Sequence, residues 1–143
     1  MTPPRQPVTT MVVTAAVIER EGRFLVTRRL EGTHLAGVWE FPGGKCGNGE
    51  TLTACLAREL REELGVDCLV GDQLFDVAHD YPDRRVHLHF FACTLLGEPQ
   101  PLLGQEMRWV AREDLRDLEF PPADDALIRR LAHPDSAREA ERA

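Results

Sequence analysis

The chain has 143 residues, of which 43% are hydrophobic and 29% are charged, and its net charge at pH 7 is −7. This length and composition favour one globular domain with a single core. The acidic balance argues against a surface that coats a nucleic-acid polymer, because such surfaces are usually basic. A nucleotide is not excluded, since a metal ion and a few basic side chains can meet its charge locally.

Both ends of the chain are predicted to be loose tails around one domain. Residues 1–7 lack the apolar core of a signal peptide, and residues 134–143 are assigned in the same way. The domain itself is predicted to span residues 8–133. No apolar stretch approaches the roughly 18 residues that a membrane-spanning helix needs, so we expect no membrane partner.

Strands and helices alternate along this domain. β-Prone segments predict strands at 8–19, 23–29, 38–41, 68–70, 74–79, 86–95 and 106–110. A helix is predicted over 51–64, a short helical turn over 114–118 and a final helix over 123–132. By itself this order indicates an α/β or an α+β fold.

Four cysteines, Cys46, Cys55, Cys68 and Cys93, show no CxxC pair and no histidine partner at zinc-binding spacing. Cys55 falls beside an apolar stripe and Cys93 within a hydrophobic run. This pattern predicts small buried thiols in a reduced, cytoplasmic protein.

The helix predicted over 51–64 has two distinct faces. Leucines recur every four residues, at Leu52, Leu56, Leu60 and Leu64, and form a stripe that can pack on a sheet. Gly65 follows at the place where a left-handed closing residue is common.

The second face carries acidic side chains. Glu59, Glu62 and Glu63 are three and four residues apart, so their carboxylates share one side of the helix. Like charges at this spacing repel each other unless a cation neutralises them, and such oxygen ligands suit Mg²⁺ or Mn²⁺. The alternative is a solvated face that includes an Arg58–Glu62 ion pair.

A glycine pair lies just before this helix. Gly43 and Gly44 let the backbone approach a ligand closely and adopt positive φ, and Lys45 offers a point charge to a polyphosphate. Taken alone, a Gly-Gly pair is only a turn signal.

The glycines and glutamates fit one template from Gly44 to Val66, GX5EX7REUXEEXGU, in which U is aliphatic. This is the Nudix box, and the chain resembles MutT and the small bacterial nucleoside triphosphate pyrophosphohydrolases, including the CTP-directed type. The similarity covers roughly residues 12–131. The resemblance implies the Nudix fold, an α/β/α sandwich with a mixed β-sheet between helices.

The resemblance also implies a metal site and catalytic roles. Glu59, Glu62 and Glu63, with the backbone carbonyl of Gly43, would bind Mg²⁺, with Mn²⁺ as an alternative. Glu59 would orient or deprotonate the attacking water, and Arg58 would hold Glu59 or Glu62 in place.

Three further residues are expected to support this site. Gly44 belongs to the glycine bend, and Glu50 would support the metals from the start of the helix. Relatives often carry a further glutamate where this chain has Leu103. Glu106 is the candidate to replace it; otherwise one metal ion is bound more weakly.

The substrate residues implied by the resemblance come from four segments. Arg29 and Lys45 would contact phosphate, and His34 would lie on the substrate side. Phe41 would pack near the nucleobase, and Arg84 would reach a base carbonyl. Each has a plainer alternative: a strand or surface charge, a solvated histidine, a core aromatic or a turn cap.

Asp124 is the candidate for base selection. Relatives directed at 8-oxoguanine carry asparagine there, and an ionised carboxylate only accepts hydrogen bonds whereas an amide also donates. This favours bases that offer amino protons, and hence CTP, dCTP or a broad sanitising activity. The alternative is that Asp124 only favours the first turn of the last helix.

The implied reaction converts a nucleoside triphosphate and water into a monophosphate and pyrophosphate. ADP-ribose or diadenosine polyphosphate hydrolysis is the alternative within enzymes, flagged weakly by Tyr81 and Pro82. A non-catalytic nucleotide-binding regulator is disfavoured because the box glutamates are all present. The expected partner is a small nucleotide, with no nucleic-acid polymer, and the chain is predicted to be a monomer or homodimer.

Overall fold

The computed structural model describes residues 9–132. The predicted tails, 1–7 and 134–143, lie outside the described residues. Strands, helices and 3₁₀ turns follow one another as β1 (Thr10–Arg20), β2 (Arg23–Arg28), β3 (Trp39–Glu40), β4 (Gly43–Lys45), α1 (Leu52–Leu64), β5 (Cys68–Tyr81), β6 (Arg84–Leu95), β7 (Met107–Ala111), two 3₁₀ turns (Arg112–Asp117 and Pro122–Asp124) and α2 (Asp125–Ala132).

The strands form one mixed sheet in the order β3-β2-β1-β6-β5, with β4 paired to β1 and β7 paired to β2. The β1–β6 pair is parallel, with Thr10 opposite Arg85 and Ile18 opposite Cys93. The other pairs are antiparallel. Strand β1 therefore joins the two halves of the sheet.

A hydrophobic cluster covers each face of the sheet, as alternation along a strand requires. Ala15 and Val17 of β1 belong to the cluster that α2 covers, whereas Ala16 and Ile18 belong to the cluster that α1 covers. This is the predicted α/β/α sandwich. Within the described residues, no helix is long and apolar enough to cross a membrane.

Helix α1 begins and ends as its sequence predicts. The Thr51 side chain accepts a hydrogen bond from the Ala54 N–H at 3.2 Å, which caps the first turn. Gly65 closes the helix with φ 62°, a conformation that favours glycine. Leu56, Leu60 and Leu64 are fully buried against the sheet.

Two segments that were predicted as separate strands form a single strand. Segments 68–70 and 74–79 belong to the single strand β5, which pairs with β6 through register shifts between Val70 and Phe75. At Gly71, an added Cβ would lie 3.1 Å from the Ala92 carbonyl oxygen. A bulge disturbs the alternation of side chains along the strand. The sequence pattern therefore predicted an interruption between two strands.

The prediction of four reduced thiols is wrong for one pair. Cys46 and Cys55 form a disulfide with a Cα–Cα distance of 5.3 Å, whereas Cys68 and Cys93 are free. The segment after β4 folds back onto the first turns of α1 and places the two sulfurs together. A separation of nine residues without a CxxC pattern does not reveal this contact.

Candidate active site

A cavity of about 430 Å³ lies on the face of the sheet that carries α2. Strands β1 and β6 contribute Ala15, Val86 and Leu88 to its wall. Most of the predicted site residues line it, namely Arg29, His34, Phe41, Gly43, Gly44, Lys45, Glu59, Glu63, Arg84 and Asp124. Four predicted residues are not among its lining: Glu50, Arg58, Glu62 and Glu106.

The two glycines form a strand, β4, and neither has positive φ among the described residues. The expectation of positive φ is therefore wrong, and close approach is the reason for glycine. A Cβ on Gly43 would overlap the backbone of Thr14 and Ala15, and one on Gly44 would overlap the Glu59 carboxylate. The bare backbone of β4 thus admits Glu59 to the cavity.

The ladder between β4 and β1 leaves the polar groups of Gly43 directed away from β1. The Ala16 N–H donates to the Pro42 carbonyl, and the Cys46 N–H donates to the Val12 carbonyl. Hydrogen-bonded pairs alternate along antiparallel strands, so Gly43, opposite Ala15, is not a bonded member. Its N–H instead hydrogen-bonds the Glu63 carboxylate, and its carbonyl points to the same side.

Arg58 is the centre of an ionic network at the start of α1. Its Nε donates to Glu50 Oε2 at 2.7 Å, and its Nη2 donates to Glu50 Oε1 at 2.9 Å. Its Nη1 donates to Glu59 at 3.0 Å and to Glu62 at 3.2 Å. Hydrogen bonds from Arg58 lower the pKa of Glu50 to about 2. Glu50 therefore fixes Arg58, and Arg58 in turn fixes the box carboxylates.

The three box carboxylates predicted to converge differ in their positions. Among the described residues, no set of three ligand atoms within 4.8 Å of one another contains Glu59, Glu62 and Glu63 together. The Glu59 side chain is 13% exposed, whereas that of Glu62 is 56% exposed. Glu62 pairs with Arg58 and lies outside the cavity lining, whereas Glu59 and Glu63 line the cavity. We therefore place Glu62 at the rim.

Burial and like charges raise the pKa of the carboxyls inside. Burial, followed by the charges of Glu40 and Glu59, raises the pKa of Glu63 to about 8. The pKa values of Glu59 and Glu40 are also raised, chiefly by burial, although Arg58 and Arg29 oppose the shifts. The arginines near these carboxyls therefore do not fully offset the effects of burial and like charges on their pKa values. Carboxylates with a backbone carbonyl form a donor set that fits a hard divalent cation.

Arg29 and His34 meet on the opposite wall. Arg29 Nη1 lies 2.9 Å from Glu40 Oε2, and its Nε donates to the His34 carbonyl. The His34 ring contacts Tyr81 edge-on at 5.2 Å. Arg84 pairs with Asp83 at 3.1 Å and is half-exposed at the rim. The cavity therefore presents two guanidinium groups and Lys45 to a polyanion.

The part of the cavity around Asp124, called the far end below, is lined mainly by apolar side chains, although the charge of Glu40 reaches Asp124. Phe41 is buried, stacks on Phe120 at 5.4 Å and meets Phe90 edge-on at 6.0 Å. Phe41 is thus both a core aromatic and part of the cavity wall. Asp124 is 3% exposed, and its Oδ1 has no hydrogen-bond partner among the described residues.

Burial, followed by the charges of Glu40 and Asp125, raises the pKa of Asp124 to about 7. A buried carboxyl oxygen without a partner is unfavourable unless a ligand satisfies it. Asp124 lies just before α2, so both the predicted base contact and the helix-terminal alternative remain predictions.

The sequence reasoning missed Glu40 and Gln105. Glu40 sits between buried Trp39 and Phe41, and a charged residue amid apolar neighbours was the available signal. Gln105 lines a second cavity of about 170 Å³, together with Glu63 and Leu103. Its side chain donates to the Glu63 carbonyl at 3.1 Å.

Glu106, expected to replace the glutamate missing at Leu103, is directed elsewhere. It lies 3.0 Å from Arg108 and 3.7 Å from Arg28, and it lines neither described cavity. The preceding residue, Gln105, contacts the box instead, because its side chain donates to the backbone carbonyl of Glu63.

Comparison with known proteins places this geometry in a family. The NUDIX domain model matches residues 13–130. The chain belongs to the Nudix family, and it is a hydrolase of that family.

Three similar proteins refine the comparison. An 8-oxo-dGTP diphosphatase of Haemophilus influenzae is 40% identical over 121 residues, which cover 83% of this chain and 89% of the relative. A CTP pyrophosphohydrolase of Escherichia coli is 35% identical over 130 residues, covering 90% and 96%. The solution structure of the E. coli ORF135 protein has a TM-score of 0.78 at 34% identity and covers 93% of this chain and 94% of that chain.

Proposed function

We propose that this protein is a Mg²⁺-dependent nucleoside triphosphate pyrophosphohydrolase directed at CTP, dCTP or oxidised nucleotides such as 8-oxo-dGTP. One observation carries the proposal: a single cavity is lined both by box carboxylates and by Asp124, whose Oδ1 has no hydrogen-bond partner among the described residues. A triphosphate and a base need these two environments at once. Relatives named for 8-oxo-dGTP and for CTP support both substrate classes.

The cation would be held by Glu59, Glu63 and the Gly43 carbonyl, with Glu62 as a further ligand at the rim. When bound, it supplies charge neutralisation for the polyphosphate and lowers the pKa of a coordinated water. Mn²⁺ suits the same oxygen donors. The raised pKa values of Glu59 and Glu63 support this assignment, because a bound cation would stabilise their charged forms.

Positioning by the protein side chains accounts for the rest of the reaction. Arg29 and Lys45 would hold phosphate oxygens, and Glu59, itself held by Arg58, would orient or deprotonate the attacking water. The water oxygen bonds to a phosphorus of the triphosphate chain, and one P–O–P bond breaks. The products are a nucleoside monophosphate and pyrophosphate.

Base selection is assigned to Asp124. The ionised carboxylate accepts a hydrogen bond from the cytosine N4 amino group, whereas the protonated form both donates and accepts, as an amide does. The 8-oxoguanine edge, with an acceptor at O6 and a proton at N7, suits the protonated form. A pKa of about 7 therefore makes both forms available near neutral pH.

A substrate panel with product analysis tests the proposal. CTP, dCTP, 5-methyl-dCTP, 8-oxo-dGTP, dGTP, ADP-ribose and a diadenosine polyphosphate are incubated with enzyme and Mg²⁺, and products are separated by ion exchange. We expect monophosphate and pyrophosphate from a pyrimidine or oxidised triphosphate. Diphosphate and inorganic phosphate as products, or a preference for ADP-ribose, would contradict the proposal.

The setting of this activity is also a proposal. We expect a cytoplasmic enzyme that acts on free nucleotides, needs neither a nucleic-acid polymer nor a membrane, and works as a monomer or homodimer. Light scattering of the purified protein measures the last point directly.

A further inference from the structure

A cluster of metal-binding side chains lies on the other face of the sheet, away from the cavity. Val86, Leu88 and Phe90 of β6 line the cavity. The residues between them, His87 and His89, point to the opposite side because side chains alternate along a strand. The proposed catalytic site does not use this cluster.

Three potential ligands come together there. His87 Nε2 lies 2.8 Å from Asp76 Oδ2, and the two imidazole rings stack with centroids 4.1 Å apart. Asp76 is the register partner of His89 across β5 and β6. One ligand atom from each of Asp76, His87 and His89 falls within 4.8 Å of the other two.

These separations are close to those of a coordinated ion. Ligand atoms bonded to Zn²⁺ at about 2.0–2.1 Å in a tetrahedron lie about 3.3 Å apart. His87 and Asp76 need to separate by about 0.5 Å, and the remaining distances need to shorten by at most about 1.5 Å. Rotation of side chains that are partly exposed, at 37% for His87 and 57% for Asp76, supplies movements of that size.

A neighbouring amide already orients one ring. Gln73 Nε2 lies 2.8 Å from His89 Nδ1. With the amide turned by 180°, Gln73 Oε1 takes this place and accepts a hydrogen bond from Nδ1–H, which leaves His89 Nε2 free to bind a metal ion, and acceptors of this kind commonly orient metal-binding histidines. Two imidazoles and one carboxylate suit Zn²⁺ and other first-row transition-metal ions better than Mg²⁺, which prefers oxygen ligands.

We propose that Asp76, His87 and His89 bind a first-row transition-metal dication, with Zn²⁺ as the probe, on the face of the sheet opposite the nucleotide cavity. Three protein ligands on a partly exposed surface leave further coordination positions to solvent. The bound ion is therefore exchangeable and separate from the cation proposed for the box.

Calorimetric titration with Zn²⁺, in excess Mg²⁺ and without nucleotide, tests the proposal independently of hydrolysis. Wild type should bind one Zn²⁺ that is lost in the H87A/H89A double variant and at least tenfold weaker in Asp76→Asn. Gln73→Ala should weaken binding roughly 10- to 100-fold, as loss of an orienting partner does. Asp80→Asn is the matched control, because it removes the same charge from the same strand at a residue that pairs with Arg85.

Histidine side-chain NMR locates the ion, and thermal unfolding without Zn²⁺ checks that each variant is folded. Zn²⁺ should shift the ring resonances of His87 and His89 and raise the melting temperature of wild type but not of the double variant. Absence of binding, equal binding by the double variant, or shifts confined to His34 and His79 would each overturn the proposal. Asp76→Asn keeps the test valid if loss of both histidines impairs folding, since Asp76 is exposed.

Discussion

The two ends of the cavity are built in opposite ways. At the carboxylate end, Arg58 bonds Glu50, Glu59 and Glu62 and fixes their positions, while Glu63 is held by the Gly43 N–H. At the far end, Asp124 is buried, and within residues 9–132 its Oδ1 has no hydrogen-bond partner. A dense network suits positioning for a fixed reaction, whereas one unsatisfied group suits discrimination between ligands.

The largest expected effect is at the carboxylate end. Glu63→Gln removes a charge that faces the proposed cation and should lower kcat by on the order of 10² or more. The melting temperature of the metal-free variant should not fall. The pKa of the buried Glu63 is raised to about 8, so the carboxyl is largely protonated at pH 7 and as neutral as glutamine. Steady-state kinetics and a thermal scan measure both. Turnover near that of wild type would contradict the assignment.

Arg58→Lys tests whether the network positions the carboxylates. Lysine keeps the charge but cannot reproduce the paired bonds to Glu50. We expect activity or metal affinity to fall by roughly 10- to 100-fold. Arg61→Lys is the matched control, because Arg61 lies on the same helix and pairs with Asp67. Equal losses in both variants would mean that Arg58 stabilises only the helix.

The disulfide holds this same end together. Closing a loop of this length stabilises the folded state by about 2–3 kcal/mol in the chain-entropy model. Reduction with a phosphine should therefore lower the free energy of unfolding in urea by that order, and C46S/C55S should match the reduced wild type. An unchanged unfolding midpoint on reduction would show that Cys46 and Cys55 are thiols in solution.

The smallest expected effect is a change of preference at the far end. As pH rises through about 7, Asp124 loses its proton, so kcat/KM for dCTP relative to 8-oxo-dGTP should rise several-fold. Asp124→Asn should abolish this pH dependence of the ratio and favour 8-oxo-dGTP. Effects of pH on catalysis itself cancel in the ratio. Equal pH dependence in both proteins would reduce Asp124 to a helix-terminal residue.

The carboxylate end was largely predictable because its signals are local in sequence. Leucines four residues apart and the glycine that follows define α1 and its buried face, and glutamates three and four apart define the other face. The Arg58–Glu62 ion pair was predicted only as the alternative, because its formation depends on where Arg58 lies after Glu50 has bonded it.

Features that depend on tertiary contacts were not predictable from the sequence. Glu40 of β3 and Gln105 of the segment before β7 reach Glu63 only through tertiary packing, and Cys46 meets Cys55 only after the chain folds back. The sequence singled out Asp124 by resemblance, but its missing hydrogen-bond partner follows from the apolar walls around it.

The central claim is that one end of the cavity performs the reaction and the other selects the base. The direct test is the ratio of kcat/KM for dCTP and 8-oxo-dGTP in wild type, Glu63→Gln and Asp124→Asn at one pH. We predict that Glu63→Gln lowers both values and leaves the ratio unchanged, whereas Asp124→Asn changes the ratio several-fold. A ratio that shifts in Glu63→Gln and stays constant in Asp124→Asn would contradict the claim.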